Sequence, residues 1–281
     1  MPAQPIDGGR TTDPRRAAGG RRALGPLVLE YHAVSESWAV HRAVTPTELE
    51  RQIAYLARRG YVGATFSDAA SAMDERMVVF TFDDAHASVL ELAFPRLAAA
   101  GFPGTVFVVT DFADDGRPLR WPGIHEDGKT DLRELRGMTW DELGGLVDAG
   151  WEVGSHTKTH PRLTSLEDAE LDRELAESRA ACERALGRPC RALAYPFGDH
   201  DARVVSRAAA AGYSLAAMEG LGPVAPLAWP RIGVYRHDRM WRFRLKVSST
   251  VRHARTFLEP RARRPAGPAQ RGPSPASSAD A

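Results

Sequence analysis

Two short segments of this 281-residue chain carry side chains whose types and spacing could do chemistry. The first, Met77-Val-Val-Phe-Thr-Phe-Asp83-Asp84, is an apolar run ending abruptly in paired carboxylates. The second, Trp151-Glu-Val-Gly-Ser-His156-Thr-Lys-Thr-His160, exits through two histidines four residues apart. A short helical turn at that point would aim both imidazoles at one place. Two histidines and one carboxylate form a common open site for zinc or another divalent transition metal, with a position left for water or substrate. Neighbouring side chains diverge, so one aspartate can bind the metal while the other faces water. Each motif alone has a blander reading, the carboxylates as a helix cap or solvated turn, the histidines as a surface feature. Together at successive strand ends, they support each other. A third segment, Arg191-Ala-Leu-Ala-Tyr-Pro-Phe197-Gly198, reads as a strand meeting a sharp turn, which can expose a backbone N–H to an oxyanion.

The elements that must position these groups alternate. Strand-like runs fall at Leu27 to Tyr31, Tyr61 to Phe66, Met77 to Phe82, Thr105 to Thr110, Trp151 to Ser155, Arg191 to Tyr195, Tyr213 to Met218 and around Arg231 to Tyr235. Helical patterns fill most gaps, with starts expected at Thr47 with Glu50, Thr139 with Glu142, and Ser165 with Asp168. The third carries the stripe Leu171, Leu175, Ser178, Cys182 and Leu186. Such alternation predicts an α/β fold around a parallel sheet, open or closed into a barrel, with function at the strand ends. No glycine-rich phosphate fingerprint is present, and no nucleic-acid partner is expected.

The order TFDDA, GSHTKTHP, AYPFGDHD resembles the polysaccharide deacetylase family, carbohydrate esterase family 4. LVLEYHAVSE and WPRIGV resemble the branch of poly-N-acetylglucosamine deacetylases, and the similarity runs from about Leu27 to Val234. The resemblance implies a distorted (β/α) barrel of about seven parallel strands and a metal-dependent hydrolase that removes acetyl groups from an N-acetylated sugar or polysaccharide. It assigns Asp83 as general base, Asp84, His156 and His160 as metal ligands, usually to zinc, and Phe197 as the backbone oxyanion donor. This chain departs from the pattern in three places. Ala85 replaces a glycine, which would be strained at positive φ. The arginine that orients the base is absent before Pro196; Arg191 would face the wrong way, and Arg231 is the candidate replacement. The late Leu-x-His motif of the general acid is not visible, and His237 is the candidate there. His32, after the first strand, is placed to line the site, with His86 and His200 beside motifs. These departures keep open a non-catalytic metal- or glycan-binding relative, and the lack of an export signal keeps open an amidohydrolase of a small metabolite.

A formal charge of +1 hides an acidic body, 20 basic against 31 acidic residues over 25–230, and a basic end from Arg231 onward. Met240, Phe243, Val247, Val251, Ala254 and Leu258 fall at helical spacing among those cations, which fits either a final barrel helix or peripheral contact with an anionic membrane. Residues 1–25 and 259–281 read as disordered tails around a catalytic domain over 26–258. The segment Asp111 to Arg136 reads as a rim or lid. Two cysteines, Cys182 and Cys190, exclude a disulfide scaffold. No segment has the length of a membrane span or a signal-peptide core, so a cytoplasmic location is expected, or an extracytoplasmic one if the true N-terminus is missing.

Overall fold

The computed structural model describes residues 24–122, 124, 131–220 and 222–256. In chain order the strands begin with β1 (Leu27–Tyr31), β2 (Ala33–Val34), β3 (Ala43–Val44), β4 (Val62–Gly63) and β5 (Met77–Asp83). They continue with β6 (Gly104–Val108), β7 (Glu152–Ser155), β8 (Ala192–Ala194), β9 (Leu215–Glu219) and β10 (Trp229–Gly233). Because β1 pairs with both β10 and β5, the order β1-β10-β9-β8-β7-β6-β5 closes on itself as a seven-stranded barrel, every pairing parallel. β4 adds only to the start of β5, and β2 with β3 forms a separate small ribbon.

The helices are α1 (Pro46–Arg58), α2 (Phe66–Ala72), α3 (Phe94–Ala99), α4 (Trp140–Asp148), α5 (Asp168–Leu186), α6 (Ala202–Ala210), α7 (Met240–Val247) and α8 (Ser249–Thr256). The capping box Thr139–Glu142 forms as the sequence predicts. Elsewhere the starts differ. α1 is capped by Thr45, whose hydroxyl accepts from the Glu48 N–H, because Pro46 is best used at the first helical position. Ser165 bonds back to the Arg162 carbonyl within a 3₁₀ turn, and α5 starts after Glu167. The expected strand Tyr61 to Phe66 is cut to two residues, since Thr65 caps Asp68 and begins α2. The basic helix is broken at Ser248, whose ψ of 143° is extended, and Phe243 and Val247 bury one face of α7 toward α1.

Strand period two sorts the side chains. Leu27, Leu29 and Tyr31 join the layer under the helices, where the Tyr31 hydroxyl donates to Gln52 of α1. Val28, Val79, Phe107, Ala194, Ala217 and Trp229 form a dry interior layer with Phe66 of α2. Phe66 meets Phe107 and Trp229 edge-on at 5.9 and 5.7 Å, so α2 plugs the lower end. Gly154 makes room for this layer, since a Cβ there would stand 2.7 Å from the Phe107 ring. On the same inward parity, toward the carboxyl ends, come Glu30, Thr81, Asp83 and Arg231, all buried.

Of the expected tails, Leu24 and Gly25 are described, and Leu24 is buried. The rest of both tails, Leu258, and residues 123 and 125–130 of the rim segment lie outside the described residues.

Candidate active site

Asp83 ends β5 and faces the barrel axis. Arg231, two residues beyond Trp229 on β10, reaches it with both guanidinium tips, donating at 2.6 and 2.7 Å to the two carboxylate oxygens. One tip also donates to the Thr81 hydroxyl at 2.9 Å, and Glu30 lies 3.3 Å from the other. Burial alone would raise the Asp83 carboxyl, but Arg231, then His156, hold it below the ordinary aspartate value. Glu30 shares the guanidinium without a close hydrogen bond. Burial raises it to about 8, against the pull of Arg231 and with added repulsion from Asp83 and Glu219. Arg191, exposed below β8, does not approach.

Asp84 turns away from Asp83 because its backbone leaves the strand at φ 72°, followed by Ala85 at φ 58°. The position where the family pattern has glycine is therefore a left-handed one, occupied by an alanine whose methyl is buried in the core. Asp84 Oδ1 lies 3.6 Å from His156 Nε2 and 3.5 Å from His160 Nε2. Oδ2 lies 3.7 Å from His86 Nε2. Burial would raise Asp84, but His86, His160, His32 and His156 together hold it well below the ordinary range.

The two histidines are not on a helical turn. Thr157 and His160 both adopt positive φ, 68° and 65°, and the loop between them is tied internally by the Thr157 hydroxyl accepting from the His160 N–H. From outside, Glu174 of α5 accepts the backbone N–H groups of Lys158 and Thr159, each at 2.9 Å, and the Thr159 hydroxyl at 2.6 Å. Sequence reasoning missed Glu174, although a carboxylate between Leu171 and Leu175 on an apolar stripe was the available signal. His156 is oriented by its Nδ1–H, which donates to the Ala194 carbonyl at 2.8 Å and so leaves Nε2 with its lone pair toward Asp84. His160 is wedged between rings, stacked on Trp121 at 4.4 Å and edge-on to Phe197 at 4.7 Å.

These donors fit a divalent cation. One ligand atom each from Asp84, His156 and His160 lies within 4.8 Å of the others, all three residues are buried, and Asp84 Oδ1 has no hydrogen-bond donor.

Across the cleft stands His32, just after β1, with Arg42 Nη1 3.2 Å from its Nε2. An arginine only donates, so the His32 proton sits on Nδ1. Burial, with Arg42 second, lowers His32 to about 3. Phe197 occupies the turn after β8 at φ 61°, which the Gly198 N–H closes onto the Tyr195 carbonyl at 2.9 Å. The open cleft over these groups has a volume of about 590 Å³, with Trp38, Trp121 and Phe197 among its walls.

His237 is not brought into this cleft. β10 ends at Gly233, two residues earlier than the pattern suggests, and the chain turns outward. Asp238 is the buried residue there, accepting from the Tyr235 N–H and from Lys246, so its neighbour His237 is exposed and rests on the Tyr235 ring. His200 stacks on Tyr195 beside the turn and does not line the cleft, whereas His86 does.

A family model described as polysaccharide deacetylase matches residues 70–216. YxkH of Bacillus subtilis (strain 168), whose name places it among polysaccharide deacetylases, is 22% identical over 194 residues, covering 67% of this chain and 62% of the relative. The chitooligosaccharide deacetylase of Bradyrhizobium sp. (strain ANU 289) is 43% identical over 95 residues, 32% of this chain and 40% of the relative. The chain thus spans less than two thirds of either relative. Among solved structures, IcaB from Ammonifex degensii shares the fold with a TM-score of 0.65 at 23% identity, covering 82% of this chain and 97% of that one.

Proposed function

The chain belongs to the polysaccharide deacetylase family, and from that premise we propose that it is a metal-dependent hydrolase removing acetyl groups from an N-acetylated glycan. The observation that carries the reading is the division of labour at the end of β5, where one aspartate joins two histidines in a buried ligand cluster and its neighbour is held by a guanidinium. Zinc or a similar cation held by Asp84, His156 and His160 supplies Lewis acidity toward the acetyl carbonyl. Asp83, fixed by Arg231, accepts the proton of the attacking water. The Phe197 N–H, in its left-handed turn, donates to the oxyanion as charge develops there. His32 takes the role that the sequence suggested for His237. A ligand atom of His32 lies within 4.8 Å of one on Asp83, and His32 is uncharged at rest; it takes up the proton Asp83 has drawn from water by releasing Nε2 from Arg42, and the imidazolium so formed gives a proton to the leaving amine. Trp38 and Trp121 give the cleft apolar aromatic walls for sugar rings.

The test is acetate release from N-acetylated oligosaccharides by zinc-loaded protein. Asp83→Asn is expected to retain zinc, since the ligand cluster is untouched, while losing about 10²- to 10⁴-fold in kcat. His32→Asn should lose activity and His237→Asn should keep it. Full turnover by the Asp83→Asn protein would refute the assignment of the base.

A further inference from the structure

Among the described residues, the cleft lining carries more positive than negative charge. Among the described residues lining it, Asp84 is the one carboxylate, and a bound divalent cation would outweigh it. Two guanidinium groups also line it, Arg42 and Arg162, and neither forms an ion pair with a described carboxylate. Both are held in place by site residues. Arg42 touches His32 at 3.2 Å, and the Arg162 guanidinium lies 4.4 Å over the Phe197 ring that abuts His160. A guanidinium stacked on a ring keeps its in-plane N–H edge available, which is the geometry that receives a carboxylate or phosphate.

Their positions differ in a way that bears on the ligand. Arg42 belongs to the segment that follows β1, and Arg162 to the loop that follows β7. In the closed order β1 and β7 lie on opposite sides of the barrel, so the two cations flank the ligand cluster from opposite walls. Arg42 also holds His32, whereas the Arg162 guanidinium is engaged only by the Phe197 ring among the described contacts, so Arg162 is the cation with most to offer a ligand.

Resting on the deacetylase reading above, we propose that the substrate is an acidic glycan bearing oxyanions on the sugars that flank the N-acetylated unit, received by Arg162 on one side and Arg42 on the other. An alternating uronate and N-acetylhexosamine chain has this arrangement at every repeat.

The experiment uses the full-length, zinc-loaded protein with four hexasaccharide-sized probes: a uronate/N-acetylhexosamine oligomer, the same oligomer with its carboxylates methyl-esterified, a neutral N-acetylglucosamine oligomer, and an N-acetylglucosamine phosphodiester oligomer. Binding is measured by calorimetry in the Asp83→Asn background and turnover in wild type. The acid form is expected to bind about tenfold more tightly than its ester at low salt, the margin shrinking as salt rises. Arg162→Gln should remove most of that ratio. Tighter binding of the phosphodiester probe than of the uronate supports the proposal and assigns phosphate as the natural oxyanion. Equal affinity for acid and ester, with the phosphodiester probe no tighter than the neutral oligomer, or a ratio unmoved by Arg162→Gln, overturns it. Acetate release from the neutral oligomer without any acid preference leaves the deacetylase reading standing and removes this inference alone. Acid-selective binding with no acetate from any probe removes the deacetylase reading and overturns the substrate assignment with it.

Discussion

At the scale of single residues, the site works through paired side chains whose environments push them apart. Asp83 is kept ionised by Arg231, while Glu30, 3.3 Å from the same guanidinium, is pushed up to about 8 by burial. A carboxyl whose folded pKa lies above its unfolded value contributes stability below about pH 4.5 and loses it as pH rises toward 8. Glu30→Gln is therefore expected to flatten the fall in Tm between pH 5 and 9, measured by thermal denaturation across that range. Ala85 poses a different balance. Its left-handed backbone costs about 1–2 kcal/mol. Burying the methyl returns about 0.8 kcal/mol, and a glycine would lose about 0.5–1 kcal/mol more chain entropy on folding. These nearly cancel, so Ala85→Gly should shift stability by less than about 1 kcal/mol in a denaturant titration. That near-cancellation explains how the chain accommodates alanine where the family pattern has glycine.

At the scale of elements, the candidate metal ligands depend on a loop that does not hold itself. Glu174 of α5 gathers three donors from Lys158 and Thr159, the residues between the two histidines. Glu174→Ala leaves two of those N–H groups without their acceptor, at about 1–3 kcal/mol each if they stay dry. We expect it to weaken zinc binding by at least tenfold in a chelator competition while far-ultraviolet circular dichroism stays native. The elements also explain what could be read beforehand. Asp83, Asp84, His156 and His160 were legible because strand ends make local motifs; the alternating pattern was enough for a parallel sheet, while its closure into a barrel came from the family resemblance. Arg231 was legible in part, from its place at the end of a late strand. His32 was legible as a residue lining the site, but Glu174 and the true place of His237 were not, because each is decided by contacts between distant segments. His237 in particular is displaced outward by its neighbour Asp238, whose burial is fixed by Lys246 one helix later. Positive φ at Thr157 and His160 breaks the helical turn that the spacing of His156 and His160 suggested.

At the scale of the whole molecule, the acidic body and the cleft have opposite character. Part of the surface acidity is engaged between helices, as where Arg203 and Arg207 of α6 meet Asp168 and Asp172 of α5. Among the described residues, the cleft instead sets Arg42 and Arg162 around the candidate ligand cluster. Metal binding should therefore stabilise the fold as a whole. With free zinc at 100 times its Kd, mass action contributes about 2.7 kcal/mol, a rise of roughly 5–10 °C in Tm for a protein of this size. Differential scanning fluorimetry with chelator and with zinc reads this directly, and Asp84→Asn should abolish the response. The Asp83–Arg231 pair has a last consequence, for timing. Its partners are 148 residues apart in the chain, on β5 and β10, which are both neighbours of β1. A nascent chain that has delivered β5 through β8 already contains the three candidate metal ligands, yet Asp83, the proposed base, lacks the guanidinium that fixes it. On the proposed reading, competence for chemistry therefore waits for the last strand to dock, and a chain nicked before β10 is expected to be inactive even where the candidate ligands Asp84, His156 and His160 are all present.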